Sequence, residues 1–460
     1  MSANNGILTY NSGIFNATSI YYSPSAIIPT TGQIEGTLYC FLSRVQSWDN
    51  DILPPAPTQD QKYIKQAFKN MFVAKKITSN DISPVIERID WSTGIVYDYY
   101  RDDIDMYTLD INGSIIKHFY VKNKFDQVFK CLWNNDGGVS TNEPYFEPGT
   151  FNANLIFQGA DNYKWKYMYT ITSGNKLKFM DDAWMPVPVG THIPNPVSTN
   201  AGIGDIPVIN VINGGTNYNP ATNTITVVIT GDGTGASANV VMSGSTISDI
   251  TLANTGSNYT YANVSIVSEQ GSGAQVVAYT SPIGGHGYDP ASELGSRHAM
   301  LTCSFEKDEN GKLPTDIDFR QLGVLVNPFA YFGTTVQRAN ASVYSATTDF
   351  VVSQGFGVYT PDEIVFQSTD GTYSADKITF SATVLSFDST TNTLKLINKQ
   401  GTAISSGIIY GNSTGTARVI LEQRTPEFIP FSGYMIYLEN REPIQRNSDG
   451  SEQFKLVLGY

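Results

Sequence analysis

Asp102, Asp103 and Asp105 form the densest carboxylate cluster in the sequence. Oxygens at that spacing suit a hard cation such as calcium, but no EF-hand loop surrounds them, and a solvated turn is the simpler reading. Gly231-Asp232-Gly233-Thr234-Gly235 is similar to a calcium-binding β-roll turn, yet the nonapeptide repeat of such rolls is absent. The four histidines, His118, His192, His286 and His298, show no ligand spacing. His286 lies in Gly284-Gly285-His286-Gly287, which predicts a tight turn and a hydrogen-bonding imidazole rather than a ligand. Neither a Gly-x-Ser-x-Gly elbow nor a phosphate loop occurs. A glycosidase carboxylate pair is defined by separation in space and cannot be picked from sequence. Glu439-Asn440-Arg441 places an acid beside a base, but on a polar turn an ion pair is the expected role. Cys40, Cys131 and Cys303 are scattered and odd in number, and predict buried, reduced thiols. The expectation is a protein that is not an enzyme and carries no cofactor and no metal.

Composition narrows the class. A net charge of −13 with no basic arm argues against a sequence-independent grip on nucleic acid. No apolar run approaches the length of a membrane span, so no membrane insertion is expected. The opening Met-Ser-Ala-Asn-Asn-Gly-Ile has neither a charged nor an apolar leader region, so no signal peptide is expected. Charged residues are only 15% and aromatics 12%, with 40 glycines. Tyr, Thr, Val and Ile between frequent turn residues predict a mainly β, multi-domain chain, with α+β elements in the N-terminal part.

In chain order, residues 1–30 read as an extended arm. Leu38–Leu42 reads as a buried strand, and Leu53–Pro57 as a proline-rich break. Thr58, Gln59 and Asp60 can cap a helix, and Ile64, Phe68, Met71 and Phe72 recur at helical spacing, so 59–74 is predicted as one amphipathic helix. Val85–Trp91 predicts a strand that resumes at Val96–Tyr100 after Thr93-Gly94. Phe119–Val121 and Gln127–Trp133 predict a hairpin, Asn134–Gly138 a loop, and Asp161–Thr172 a strand. At the far end, Tyr434–Leu438 and Phe454–Leu458 predict a terminal hairpin, with polar breaks at Glu439–Pro443 and Asn447–Gly450.

Two stretches have their own character. Between 200 and 283, Gly215-Thr216-Asn217-Tyr218 recurs as Gly256-Ser257-Asn258-Tyr259, and Gly233-Thr234-Gly235-Ala236 as Gly271-Ser272-Gly273-Ala274. Two copies of one β-unit are too few for a solenoid and predict a compact paired module. Between 340 and 424, alternating runs separated by Asp388–Asn392 and Gly411–Gly415 predict a small five- or six-stranded barrel or sandwich.

The remaining segments carry an ordered set of motifs. These are Ser43-Arg44 with Trp48, Pro54-Pro55, Arg88 with Asp90-Trp91, Lys130-Cys131-Leu132, Tyr163-Lys164-Trp165, Asp318-Phe319-Arg320-Gln321 through Asn327-Pro328, and Gly433 through Met435, Tyr437, Glu439, Asn440, Arg441 and Pro443. Together they resemble the baseplate wedge subunit of T4-type contractile-tailed bacteriophages, the gene-eight product family. The matching segments cover about half of the chain, and the two β-rich stretches are insertions relative to that pattern. The resemblance implies a virion protein of a myovirus tail, assembled in the host cytoplasm. It implies a homodimer that contacts other baseplate wedge proteins and passes on rearrangement when the tail contracts. It implies an extended arm (1–30), wedge core in three parts (31–199, 284–339 and a closing hairpin at 425–460), and inserted modules at 200–283 and 340–424. The core is then a discontinuous β-sandwich-like body. The alternative from a different class is a tail protein that binds or processes host-surface glycans, suggested by the repeat-bearing insertion.

Overall fold

The computed structural model describes residues 6–8, 37–111, 114–150, 154–188 and 201–459. Strand makes up 47% and helix 6% of the chain, so the fold is mainly β and multi-domain. Two compact units divide it: 1–82 with 301–460, and 83–300. The first cut falls inside the expected segment 31–199, and the repeat-bearing stretch shares a unit with 83–188.

The N-terminal part of the first unit holds β1 (Gly6–Leu8), β2 (Leu38–Ser43), α1 (Gln61–Lys69) and β3 (Met71–Ile77). The expected helix over 59–74 is therefore shorter. Asp60 caps it by accepting from the Lys62 N–H, and Asn70 ends it. Met71 onward is strand because β3 finds partners on both sides, and tertiary pairing overrides the helical period. Apart from β1, the arm 1–30 lies outside the described residues.

The second unit runs from β4 (Ile82–Glu87) through β5 (Tyr120–Lys122), β6 (Gln127–Trp133), β7 (Ile156–Gln158), β8 (Lys164–Thr170), α2 (Ser173–Phe179) and β9 (Trp184–Pro186). β5 and β6 form the expected hairpin, and β5-β6-β8-β7 is one antiparallel sheet. No strand forms at 96–100: Tyr97 and Tyr100 are buried in non-repetitive backbone.

The repeat module follows as β10 (Ile209–Thr216), β11 (Ile225–Gly231), β12 (Ser237–Ser243), β13 (Thr246–Asn254), β14 (Ala262–Ser268) and β15 (Ser272–Ala278). The two copies do not fold side by side. They interlock, with β10 on β15, β11 on β14 and β12 on β13. Each repeated tyrosine packs on the other copy's glycine: a Cβ on Gly271 would lie 2.4 Å from the Tyr218 ring, and one on Gly233 would lie 2.4 Å from the Tyr259 ring. The repeat exists because each half supplies the cover for the other half's turn. Gly271→Ala and Gly233→Ala are each expected to destabilise this module by about 1–3 kcal/mol through overpacking. Gly244→Ala, whose Cβ would meet nothing within 4 Å, is expected to cost about 1 kcal/mol of backbone strain alone. Hydrogen exchange of the 209–278 amides distinguishes them.

α3 (Pro290–Glu293) and β16 (His298–Glu306) return the chain to the first unit. There follow β17 (Ile317–Val326), the hairpin β18 (Phe329–Phe332) and β19 (Thr335–Arg338), and β20 (Val343–Ser345). Next come β21 (Thr348–Val352), β22 (Ile364–Ser368), β23 (Ile378–Asp388), β24 (Thr393–Gly401), β25 (Ile408–Gly411) and β26 (Ala417–Arg424). These last six close into a barrel in the order β21-β24-β23-β22-β25-β26. The chain ends with β27 (Tyr434–Arg446) and β28 (Ser451–Gly459).

β27 and β28 are not a hairpin. β27 runs unbroken through Glu439–Pro443 and joins the sheet β1-β27-β17-β2-β3-β20, while β28 lies beside β16 in another layer. Leu301, Cys303 and Phe305 of β16 and Phe454, Leu456 and Leu458 of β28 share one buried cluster with Leu38, Cys40 and Leu42 of β2. The opposite side of β2, Tyr39 and Phe41, packs with Ala67 of α1. A sheet covered on both faces needs no polar alternation, which is why β2 is a continuous buried run.

Candidate functional site

The motif residues of the first unit converge on one polar network, and strand register brings them together. Gln321 of β17 stands opposite Ser43 of β2 and opposite Asn440 of β27. Residues paired across a sheet share a face, so the three side chains form a row. The Ser43 hydroxyl donates to Gln321 Oε1 at 2.6 Å, and Gln321 Nε2 donates to Asn440 Oδ1 at 2.8 Å. Asn440 Nδ2 donates onward to the Pro55 carbonyl at 2.7 Å and also contacts the Tyr63 hydroxyl of α1. Asn440 has no exposed surface. Three strands, the proline-rich segment and the helix are thus pinned through two adjoining amides, Gln321 and Asn440.

Arg320, one residue along β17, organises the neighbouring loop. Its guanidinium grips Asp51 through Nε and Nη2, each at 2.9 Å, pairs with Asp318 at 2.9 Å, and donates to the Val45 carbonyl. The Arg320 hydrogen bonds hold the Asp51 carboxyl below its ordinary range. The Trp48 N–H donates to Asp51 at 2.7 Å, the Trp48 indole donates to the Arg441 carbonyl at 2.9 Å, and the Arg44 guanidinium lies 3.7 Å over the Trp48 ring. Glu439 accepts from the Tyr437 hydroxyl at 2.9 Å and pairs with Arg441 at 2.9 Å. The acid–base neighbours Glu439 and Arg441 form the expected ion pair, but on a strand rather than a turn.

The other motif residues of this unit are structural in simpler ways. Phe319 packs between Phe72 and Phe454, and Met435 and Pro54 are buried. Asn327 has φ 52° and accepts from the Thr37 N–H, while Gly433, at φ 78°, lets its backbone pass close to Pro328. Pro443 is exposed on β27.

A second group lies in the second unit. Arg88 pairs with Asp90 at 2.7 Å, and Asp90 pairs with Lys122 at 3.1 Å. The Trp91 indole donates to Ser140, the Cys131 thiol is buried, and Trp165 is stacked on Tyr163 with Tyr97 edge-on.

Side chains that the sequence marked for chemistry are dispersed. Asp102 accepts from Thr280, Asp103 pairs with Arg101, and Asp105 accepts from the Tyr107 N–H. Asp232 accepts from the Thr260 N–H and hydroxyl, bridging two turns of the repeat module. His298 packs on Trp184, and His192 lies outside the described residues. Among the described residues no group of three His, Cys, Asp or Glu side chains is placed to hold a metal ion. Among them also, no helix is long and apolar enough to cross a membrane.

His286 has partners that the sequence did not point to. Its Nδ1 lies 3.2 Å from Lys130 Nζ, which donates at 3.2 Å to Glu293 Oε2 and sits 3.8 Å over the Tyr100 ring. All three side chains are buried: Lys130 is 0% exposed, His286 2% and Glu293 4%. Glu293 Oε1 accepts from the Gly287 N–H at 2.6 Å, and the glycines at 284, 285 and 287, all at positive φ, bend the chain so that this is possible. The Lys130 ammonium can only donate, which makes Nδ1 the acceptor of that contact, and Glu293 Oε2 lies 3.5 Å from the same nitrogen. Burial and the nearby Lys130 charge push the His286 pKa down to about 3. Lys130 is one residue of a β-strand and Glu293 closes a four-residue helix 163 positions away, so no local signal connects them.

A search of protein-family models and of curated proteins finds no match to this chain.

Proposed function

We propose that the protein is a structural subunit of a contractile-phage tail baseplate wedge. It acts as a homodimer that holds neighbouring wedge proteins by geometry rather than by chemistry. The observation that carries this reading is the Ser43–Gln321–Asn440 row with Arg320 and Trp48. Motif residues from both ends of the chain meet there in register and fix strands, helix and proline-rich loop in one rigid body. Such a body suits a part that must keep its shape while its neighbours rearrange. In the same unit, Ile52 and Leu53 are 81% and 75% exposed at the edge of the proline-rich segment. Phe332 and Val336 are 68% and 55% exposed on the β18–β19 hairpin. Exposed large apolar side chains are common contact material of assemblies.

The reading predicts a dimer mass by light scattering and the protein's presence in purified tails. Replacing Ile52 and Leu53 by serine is expected to leave the fold intact and to lower the yield of wedge complexes at least about tenfold when mixed with the other wedge proteins. Removing residues 1–30 tests the arm in the same assay. A monomer that is absent from disrupted tails ends this reading, and binding of host glycan that is lost on deleting 200–283 favours a host-surface role instead.

A further inference from the structure

A groove on the outside of the six-stranded barrel has the character of a ligand site. It encloses about 420 Å³ along β23 and β24, within the roughly 300–1,000 Å³ range of small-molecule sites. A break in the ladder shapes it. Ser381 pairs with Gln400 and Thr383 with Ile397, so Asn398 and Lys399 together stand opposite Ala382 alone. Asn398 takes a positive φ of 51° at this bulge. Bulges re-aim side chains and often sit beside binding sites.

The lining contains no charged residue. Ser381, Thr383, Asn398 and Gln400 bring two hydroxyls and two amides to it, and none of the four has a side-chain hydrogen bond among the described residues. Thr383 is 6% exposed as a residue, and its hydroxyl, which is not among the buried unpartnered atoms, is open to a partner in the groove. Tyr373 stands at the rim, 48% exposed. Its ring is held by Phe366 in an edge contact at 5.1 Å, and Phe366 is itself stacked on Tyr410 at 5.5 Å. On the adjoining loop Asp370 and Lys377 pair at 2.6 Å, and Asp376 accepts from the Ser374 hydroxyl.

From these features we propose that the barrel groove binds a neutral saccharide. Amides and hydroxyls both donate and accept, as the hydroxyls of a sugar ring require. A fixed aromatic face suits the apolar C–H face of a pyranose ring. An ionic ligand finds no opposite charge in the groove, and a wholly apolar one strands four polar side chains. The groove is distinct from the repeat module and the wedge reading does not depend on it.

Maltotriose, cellotriose and N-acetylchitotriose, titrated into the full chain by calorimetry and saturation-transfer NMR, test the proposal. At least one of them is expected to bind with a Kd of about 1 mM or tighter. Tyr373→Ala is expected to weaken that binding at least about tenfold. Thr383→Val keeps the side-chain shape and removes the hydroxyl, so it serves should the tyrosine variant misfold; it is expected to weaken binding about fivefold or more. Saturation transfer is expected at the ring protons of the sugar. The proposal is overturned if none of the three saturates the chain by about 10 mM, if both folded variants bind as the parent does, or if a sulfated trisaccharide outcompetes the neutral ones.

Discussion

Arg320→Ala is expected to destabilise the first unit by about 3 kcal/mol, at the lower end of the range for removing one partner of a buried ion pair. Arg320 is 4% exposed, and its guanidinium satisfies Asp51, Asp318 and the Val45 carbonyl at once. Without it the Asp51 and Asp318 carboxylates lose their shared counter-ion and a buried carbonyl loses its donor. Those carboxylates are about 30% exposed, so water recovers part of the loss, which places the effect at the low end. Asp51 also anchors the Trp48 N–H, so the loop from Val45 to Pro55 is expected to loosen with it. Arg320→Lys keeps the charge but not the planar fork, and is expected to recover less than half of the loss. Hydrogen exchange resolves the outcome by unit: β17 and β27 amides should exchange about 100-fold faster, while those of 83–300 stay as they were. Unchanged protection in β17 would remove the network from its central structural role.

The second large effect is acid lability of the 83–300 unit. His286 has a pKa of about 3 in the fold, against about 6.5 in an unfolded chain. Its folded value is depressed, so its contribution is fully present above about pH 6.5 and is lost as pH falls toward 3. Each unit below the unfolded value costs about 1.4 kcal/mol, so about 3 kcal/mol is gone by pH 4. The physical cause is burial first, then the Lys130 ammonium at 3.2 Å; Lys166 acts in the same direction, while Glu293 opposes both. The Glu293 carboxyl lies below its ordinary range despite burial, held there chiefly by Lys130. It therefore adds its own loss at lower pH. His286→Gln keeps an acceptor for Lys130 and cannot take up a proton in this range. Urea denaturation between about pH 4.5 and 6.5 is expected to show a midpoint that falls with falling pH for the parent and falls less steeply for the variant, the remaining slope coming from His298, whose pKa is also lowered by burial. Equal slopes would mean that His286 carries a proton in the fold.

Elements whose cause is local are legible from the residues alone. The Tyr120–Lys122 and Gln127–Trp133 hairpin, the buried run Leu38–Ser43, the cap at Asp60 and three of the barrel strands, β23, β24 and β26, follow from alternation, turn residues and capping chemistry. The repeat of Gly-x-Asn-Tyr and Gly-x-Gly-Ala was also legible, because each copy carries its own glycine and tyrosine. The rest depends on long-range packing. Met71–Ile77 became strand because β2 and β20 lie on either side of it. Glu439–Pro443 became strand because β17 supplies its partners, although the polar composition reads as a break. The two repeat copies interlock because a tyrosine of one needs the turn of the other. Ser43, Gln321 and Asn440 carry nothing in their neighbours that links them; the register of three strands, with 278 and 119 residues between bonded pairs, puts them in one row. The Lys130–His286–Glu293 cluster was hidden for the same reason. Backbone preferences act over a few residues, whereas a buried polar group takes whatever partner the packed sheets bring within about 3 Å.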